Sequence, residues 1–137
     1  MRFVTVFSIF AVVAATPAIA AAPVSGKWLT TEKDSIVEIA PCGPAVCGRI
    51  QRILAPTPKG PPRDTNNPNP TLRGRTIQGL TILSGFKDGG KNWQGSIYDP
   101  RAGKVYKSYL TRMANGNLQV KGCVGPFCKT MVWTPAG

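Results

Sequence analysis

Short runs of alternating apolar and polar residues, each closed by a cluster of Gly, Pro, Asn or Asp, recur along the chain from Gly26 to Thr134. No amphipathic helical period of 3.6 interrupts them. A period of two gives every segment one face for a core and one for water, so the chain is constrained to antiparallel sheet. The alternation predicts strands near Gly26–Thr31, Ser35–Ala40, Val46–Leu54, Gly79–Phe86, Asn92–Asp99, Lys104–Arg112, Asn117–Cys123 and Cys128–Thr134. Asp88-Gly89-Gly90 and Asn115-Gly116 tolerate positive φ, and Asp99-Pro100-Arg101-Ala102-Gly103 opens with a residue that starts a turn and closes with Gly. About eight strands joined by hairpins in so short a chain predict an all-β fold, a single small antiparallel up-and-down barrel. A two-sheet sandwich is the second arrangement compatible with the pattern.

One segment breaks this rhythm. Residues 55–75, APTPKGPPRDTNNPNPTLRGR, hold six prolines and three asparagines. Proline cannot donate to a sheet ladder, so this is a surface loop within the barrel domain. Its low apolar content predicts disorder toward Lys59–Pro62 and more order near Asn66–Arg75, and loops of this length inside a compact domain are functional or disordered.

The chain opens with Arg2, the apolar run Phe3–Ala15, then Thr16-Pro17 and the small-residue tail Ala18-Ile19-Ala20. This is the layout of a cleaved signal peptide, assigned to residues 1–22, with cleavage after Ala20 or Ala22 equally compatible. A membrane anchor fits less well, because the apolar run falls short of the roughly 20 residues a bilayer needs and Pro17 and Pro23 follow it. The expected location is the periplasm or outside a bacterial cell, with the mature domain at residues 23–137 and no membrane span within it. Lys and Arg number 17 against 6 Asp and Glu, and the leader carries only Arg2, so the mature part keeps a net charge of roughly +10. Such a field suits anionic envelope components. The basic residues are scattered with no run of three, and export argues against nucleic acid as a partner.

The chain has no histidine. That removes Ser-His-Asp and Cys-His catalysis and the histidine-based zinc sites, and no cofactor or metal is expected. Of the acids, Asp34, Asp88 and Asp99 fall in turns, Asp64 in the proline-rich loop and Glu32 beside the first turn. Glu38 alternates with Val37 and Ile39 and is expected to face solvent. No spacing suggests a carboxylate pair for catalysis, and the chain is read as a non-enzyme. The cysteines form two CxxxxC units, Cys42/Cys47 and Cys123/Cys128, each bracketing a Gly-Pro turn. An exported chain favours disulfides over zinc, and of the three connectivities the local pairs suit two hairpin ends. Each such loop adds roughly 2 kcal/mol on a chain-entropy model.

Several segments together resemble a family of small secreted bacterial proteins known as domain of unknown function 2147: GKWLT at Gly26–Thr30, VEIAPCGPAVCGRI at Val37–Ile50, DTNNPNPTLRGR at Asp64–Arg75, GLTIL at Gly79–Leu83, WQGSIYDPRAGKVY at Trp93–Tyr106 and LQVKGCVGPFCKTMVWT at Leu118–Thr134. The resemblance implies a lipocalin-like or calycin-like barrel in the cell envelope, with no activity established for the family. Two positions depart from the family's pattern. Pro135 stands where members tend to have Arg after Trp133-Thr134, which removes a closing cation over Trp28, and Asn69 replaces an Asp in the loop.

The GxW of Gly26–Trp28 resembles the opening of a lipocalin barrel, so Gly26, Trp28 and Trp133 are read as structural. Arg73 and Arg75 lie two apart and share a face if extended, where their planar forks suit a phosphate or carboxylate. The competing reading has Asn66, Asn67 and Asp64 capping turns while the arginines pair with acids or solvent. Trp93, Tyr98, Tyr106 and Tyr109 lie on two adjacent strands, and parity sends some of these rings inward, to line a cavity or to fill a core. Two functions follow as expectations. The first is a binding barrel for a small, partly apolar ligand, touching Trp93, Tyr98 and Tyr106. The alternative is an envelope interaction protein holding an anionic polymer, lipid headgroup or protein through its basic surface and Asn66, Asn67, Arg73 and Arg75.

Overall fold

The computed structural model describes residues 3–15 and 19–137. Met1, Arg2 and Thr16-Pro17-Ala18, parts of the expected leader, lie outside the described residues. Eight strands follow in chain order: β1 (Gly26–Leu29), β2 (Ser35–Cys42), β3 (Ala45–Ile53), β4 (Thr81–Asp88), β5 (Trp93–Asp99), β6 (Lys104–Arg112), β7 (Leu118–Val124) and β8 (Phe127–Pro135). Each pairs antiparallel with the next, and β1 also pairs with β8 through Trp28↔Pro135 and Leu29↔Thr134. The sheet is therefore a closed up-and-down barrel rather than a sandwich.

The strand limits shift where side chains or turns compete with the ladder. β1 stops at Leu29, short of Thr31, because the Thr30 hydroxyl donates to Asp34 at 2.8 Å and its N–H to Ser35 O at 3.1 Å, closing a tight turn. β4 begins at Thr81 because Gly79 N–H donates to Ile50 O before the regular register starts. At their hairpin ends β2, β3, β7 and β8 run one or two residues further than expected, right up to the two-residue turns Gly43-Pro44 and Gly125-Pro126, while β3 and β7 each end one residue short at the opposite side. The disulfides Cys42–Cys47 and Cys123–Cys128 staple those two hairpin ends.

Alternation sorts the side chains as expected. Val37, Ile39, Val46, Ile50, Leu110, Leu118, Val120 and Trp133 are buried inside, while Glu38 lies on the outer face and pairs with Arg49 at 3.1 Å. Register shifts in β2–β3, β3–β4 and β4–β5 bend those strands, which helps a sheet this short to close.

The two ends of the barrel differ. One end carries the turn at 43–44 and the connections 89–92 and 113–117, and here Trp28, Phe86, Leu110 and Leu118 fill the interior. Trp28 is 2% exposed. Its indole N–H donates to Val24 O at 3.0 Å, and the Arg112 guanidinium lies 4.8 Å from its ring centroid. The cation over the Trp28 ring thus comes from the end of β6. The other end carries 30–34, the long connection 54–80, 100–103 and the second disulfide hairpin, and there the interior stays open.

Candidate functional site: the open half of the barrel

The open end leads into a cavity of about 840 Å³, within the range of small-molecule sites. Its floor is apolar: Val37 and Ile50 from β2 and β3, Ile97 and Tyr106 from β5 and β6, Met131 and Trp133 from β8. The register explains the set. Ile97 pairs with Tyr106, and Val120 with Met131, so these side chains point to one face. Gly122 adjoins them, and a Cβ there would sit 3.5 Å from Ile97 and 3.9 Å from Tyr106, so its missing side chain is part of the open space. The lip is charged, with Glu32, Asp34, Arg63, Arg101 and Lys129 among the lining residues. Arg101 reaches Asp34 at 2.8 Å across two mouth loops; both are solvated enough that such a pair contributes only about 0.2–1 kcal/mol.

The proline-rich loop forms one wall of this mouth. Its anchor is Asp64, which is fully buried. The carboxylate accepts from Tyr98 Oη at 2.5 Å, Arg75 Nε at 2.8 Å and Asn67 Nδ2 at 2.9 Å, while the Asp64 N–H donates to Arg75 O at 2.9 Å. Burial alone pushes this carboxyl up, but the three hydrogen bonds and the Arg75 charge outweigh it and hold its pKa below the ordinary carboxylate value. Burial, and then the adjoining Asp64 carboxylate, push the Tyr98 phenol up. Every buried side-chain polar atom of the cluster has a partner, so these groups clamp the loop to β5.

The sequence-derived candidates are therefore partly gathered and partly dispersed. Asn66, Tyr98 and Tyr106 line the cavity, and Asn66 also donates to Arg101 O at 2.9 Å, tying the loop to the β5–β6 turn. Asn67 lies beneath the loop inside the clamp. Arg73 donates its Nε–H to Asn67 O at 2.7 Å, and Arg75 its own to Asp64. The expected shared extended face does not form, because Pro70–Leu72 makes a 3-10 turn and Arg73 takes a helical conformation after it. Asn69 caps that turn by accepting from Thr71 N–H at 3.1 Å, a role its amide oxygen fills as a carboxylate would. Trp93 sits at the filled end, its indole N–H donating to Ala22 O at 2.9 Å.

Sequence reading missed Lys129 and Met131, although the parity that sends Trp133 inward also sends them inward. It also left Arg63 out, and gave Asp64 only a turn-capping part. Among the described residues no three acidic or cysteine side chains converge as a metal site would need.

Gly103 lets the loop approach the turn. It holds φ +65°, and a Cβ there would overlap the Asn66 carbonyl. Gly103→Ala is expected to cost about 1–3 kcal/mol and to lift Asn66 off the turn. Tryptic cleavage after Arg63 reads this out, and an unchanged rate would mean the contact does not hold the loop.

The sequence profile of a bacterial family described as "Uncharacterized protein conserved in bacteria (DUF2147)" matches residues 26–135, from the first residue of β1 to the last of β8. The chain belongs to this DUF2147 family. Among solved structures it is similar to a protein of Helicobacter pylori, titled as HP1028 and as belonging to the lipocalin family, at 25% identity and a TM-score of 0.74, with 85% of each chain covered. No curated protein matches the chain. The similarity places this DUF2147 barrel among lipocalin-like folds, a class that suggests ligand binding in general.

Proposed function

We propose that the protein is an exported, non-catalytic carrier that holds a small, partly apolar ligand in the open half of its barrel. The observation that carries this is the cavity of about 840 Å³, with its apolar floor and charged lip, in a barrel whose other end is occupied by the buried side chains of Trp28, Phe86, Leu110 and Leu118. Such a site buries the body of an amphipathic molecule and leaves its polar end at the mouth. Two disulfides and an apolar N-terminal run support the periplasm or the exterior as its place of work. The alternative, an anion held by Arg73 and Arg75, has less support, because both already donate Nε–H within the loop. Changing both to Ala tests it by the loss of salt-sensitive envelope association.

The carrier reading is tested by native mass spectra of the protein taken from its own cell envelope, before and after organic extraction. One extractable small molecule per barrel is the expected result. Gly122→Leu then fills the cavity from a position where a Cβ meets only ordinary contacts. It is expected to lower affinity for that molecule at least tenfold, about 1.4 kcal/mol, with little change in Tm. A bare mass, or full affinity in the filled variant, would move the function to the outer surface.

A further inference from the structure

The folded body begins abruptly at Ala21. Upstream, Phe3, Val4, Phe7, Phe10 and Ile19 are each more than four-fifths exposed. From Ala21 onward the chain is a strap over the filled end of the barrel: Ala21 is 9% exposed and Val24 1%. Three contacts tie the strap to three strands. Ala21 N lies 3.0 Å from Asp88 Oδ1 and 3.1 Å from Oδ2 at the end of β4. The Ala22 carbonyl accepts from Trp93 of β5, and the Val24 carbonyl accepts from Trp28 of β1.

We propose that the leader is removed between Ala20 and Ala21, and that the new Ala21 α-ammonium is captured by the Asp88 carboxylate as a built-in closing contact of the barrel. This rests on the export proposed above, and decides between two cleavage points that sequence alone leaves equal. Water adds across the Ala20–Ala21 peptide bond, releasing Ala20 as a carboxylate and Ala21 as an amine that takes up a proton at neutral pH. The hydrolysis is the work of the host's leader-removing peptidase, and the folding chain then places the cation. In the uncut chain one amide N–H is shared between two carboxylate oxygens. The ammonium has a separate N–H for each and adds its charge, a stronger pairing in the same place. Cleavage after Ala22 instead removes the buried Ala21 side chain and moves the chain end to Pro23, which takes away the Asp88 contact and the carbonyl that accepts from Trp93.

The experiment expresses the full chain in a bacterium, recovers it from the periplasm and measures its intact mass. A mass starting at Ala21, with two disulfides, is expected. A start at Pro23 overturns the proposal and leaves export standing, whereas a chain retaining Met1 in the cytoplasm overturns export as well. The charge pairing is then isolated by Asp88→Asn in two backgrounds. One starts at Ala21; the other carries Gly-Ser before it, which keeps the Ala21 N–H but moves the charge away. Asp88 also accepts from Gly90 N–H at 2.8 Å, so Asp88→Asn lowers Tm in both. The loss is expected to be about twofold larger in the chain that starts at Ala21, and equal losses overturn the ammonium contact.

Discussion

Trp28→Ala is expected to produce the largest stability loss of any single change in the barrel, about 3–5 kcal/mol. The indole is 2% exposed and fills the closed end, so truncation leaves a cavity ringed by strands that cannot all move inward. It also withdraws the donor to Val24 O and the ring beneath Arg112. The position matters as much as the volume, because β1 is four residues long and meets β8 at only two register pairs. Against the 5–15 kcal/mol available to a typical domain, the loss corresponds to a fall in Tm of roughly 15 °C or more. Hydrogen exchange is expected to accelerate first at the β1–β8 seam. Arg112→Ala, which removes only the stacked cation, is expected to cost about 0.5–2 kcal/mol. If Trp28→Ala melts within a few degrees of the parent, the tryptophan does not close the barrel.

Asp64→Ala is the second large effect, at about 2–4 kcal/mol, since it strands the Tyr98 hydroxyl, the Asn67 amide and the Arg75 guanidinium together. This loss sits below the full value for a buried ion pair because the Arg75 side chain is 38% exposed. Its effect is local as well as global: the loop comes off the mouth, tryptic cleavage after Lys59 and Arg63 speeds up, and one wall of the cavity is lost. The pH dependence follows from the two shifted groups. Asp64 has a depressed pKa in the fold, so its contribution is complete above the unfolded carboxyl value of about 3.9 and disappears as pH falls through the lower folded value. Tyr98 has a raised pKa, so its contribution is complete below the unfolded value of about 10 and is lost as pH rises through the higher folded one. Loop protection against protease should therefore stay level between about pH 4 and pH 10, weakening on both sides. Loss of protection near neutral pH would show that the clamp is not held by these two groups.

Much of the architecture was legible in the order of residues. Alternation at Val37–Ile39 or Leu118–Val120 predicts which side chains enter the core, because strand side chains switch faces at every residue whatever the partner strand is. Gly-Pro between paired cysteines predicts local stapling for an equally local reason. The loop was legible as a loop, since proline cannot donate to a ladder. What the loop does was not. Asp64 and Tyr98 are 34 residues apart in sequence, and no periodicity relates a loop carboxylate to a strand phenol. Likewise Arg73 and Arg75 looked paired only if extended, and a 3-10 turn capped by Asn69 directs them apart.

By itself the sequence determined an antiparallel all-β chain of about eight strands and the absence of histidine chemistry, and it favoured much of the inward set and the two local disulfides, since each depends on near neighbours along the chain. Only the tertiary structure decided that β1 closes on β8, that Arg112 lies over Trp28, that the barrel is packed at one end and open at the other, and that Ala21 meets Asp88. Those outcomes depend on volume and charge brought together across the closed sheet, where side chains distant in sequence compete for the same space.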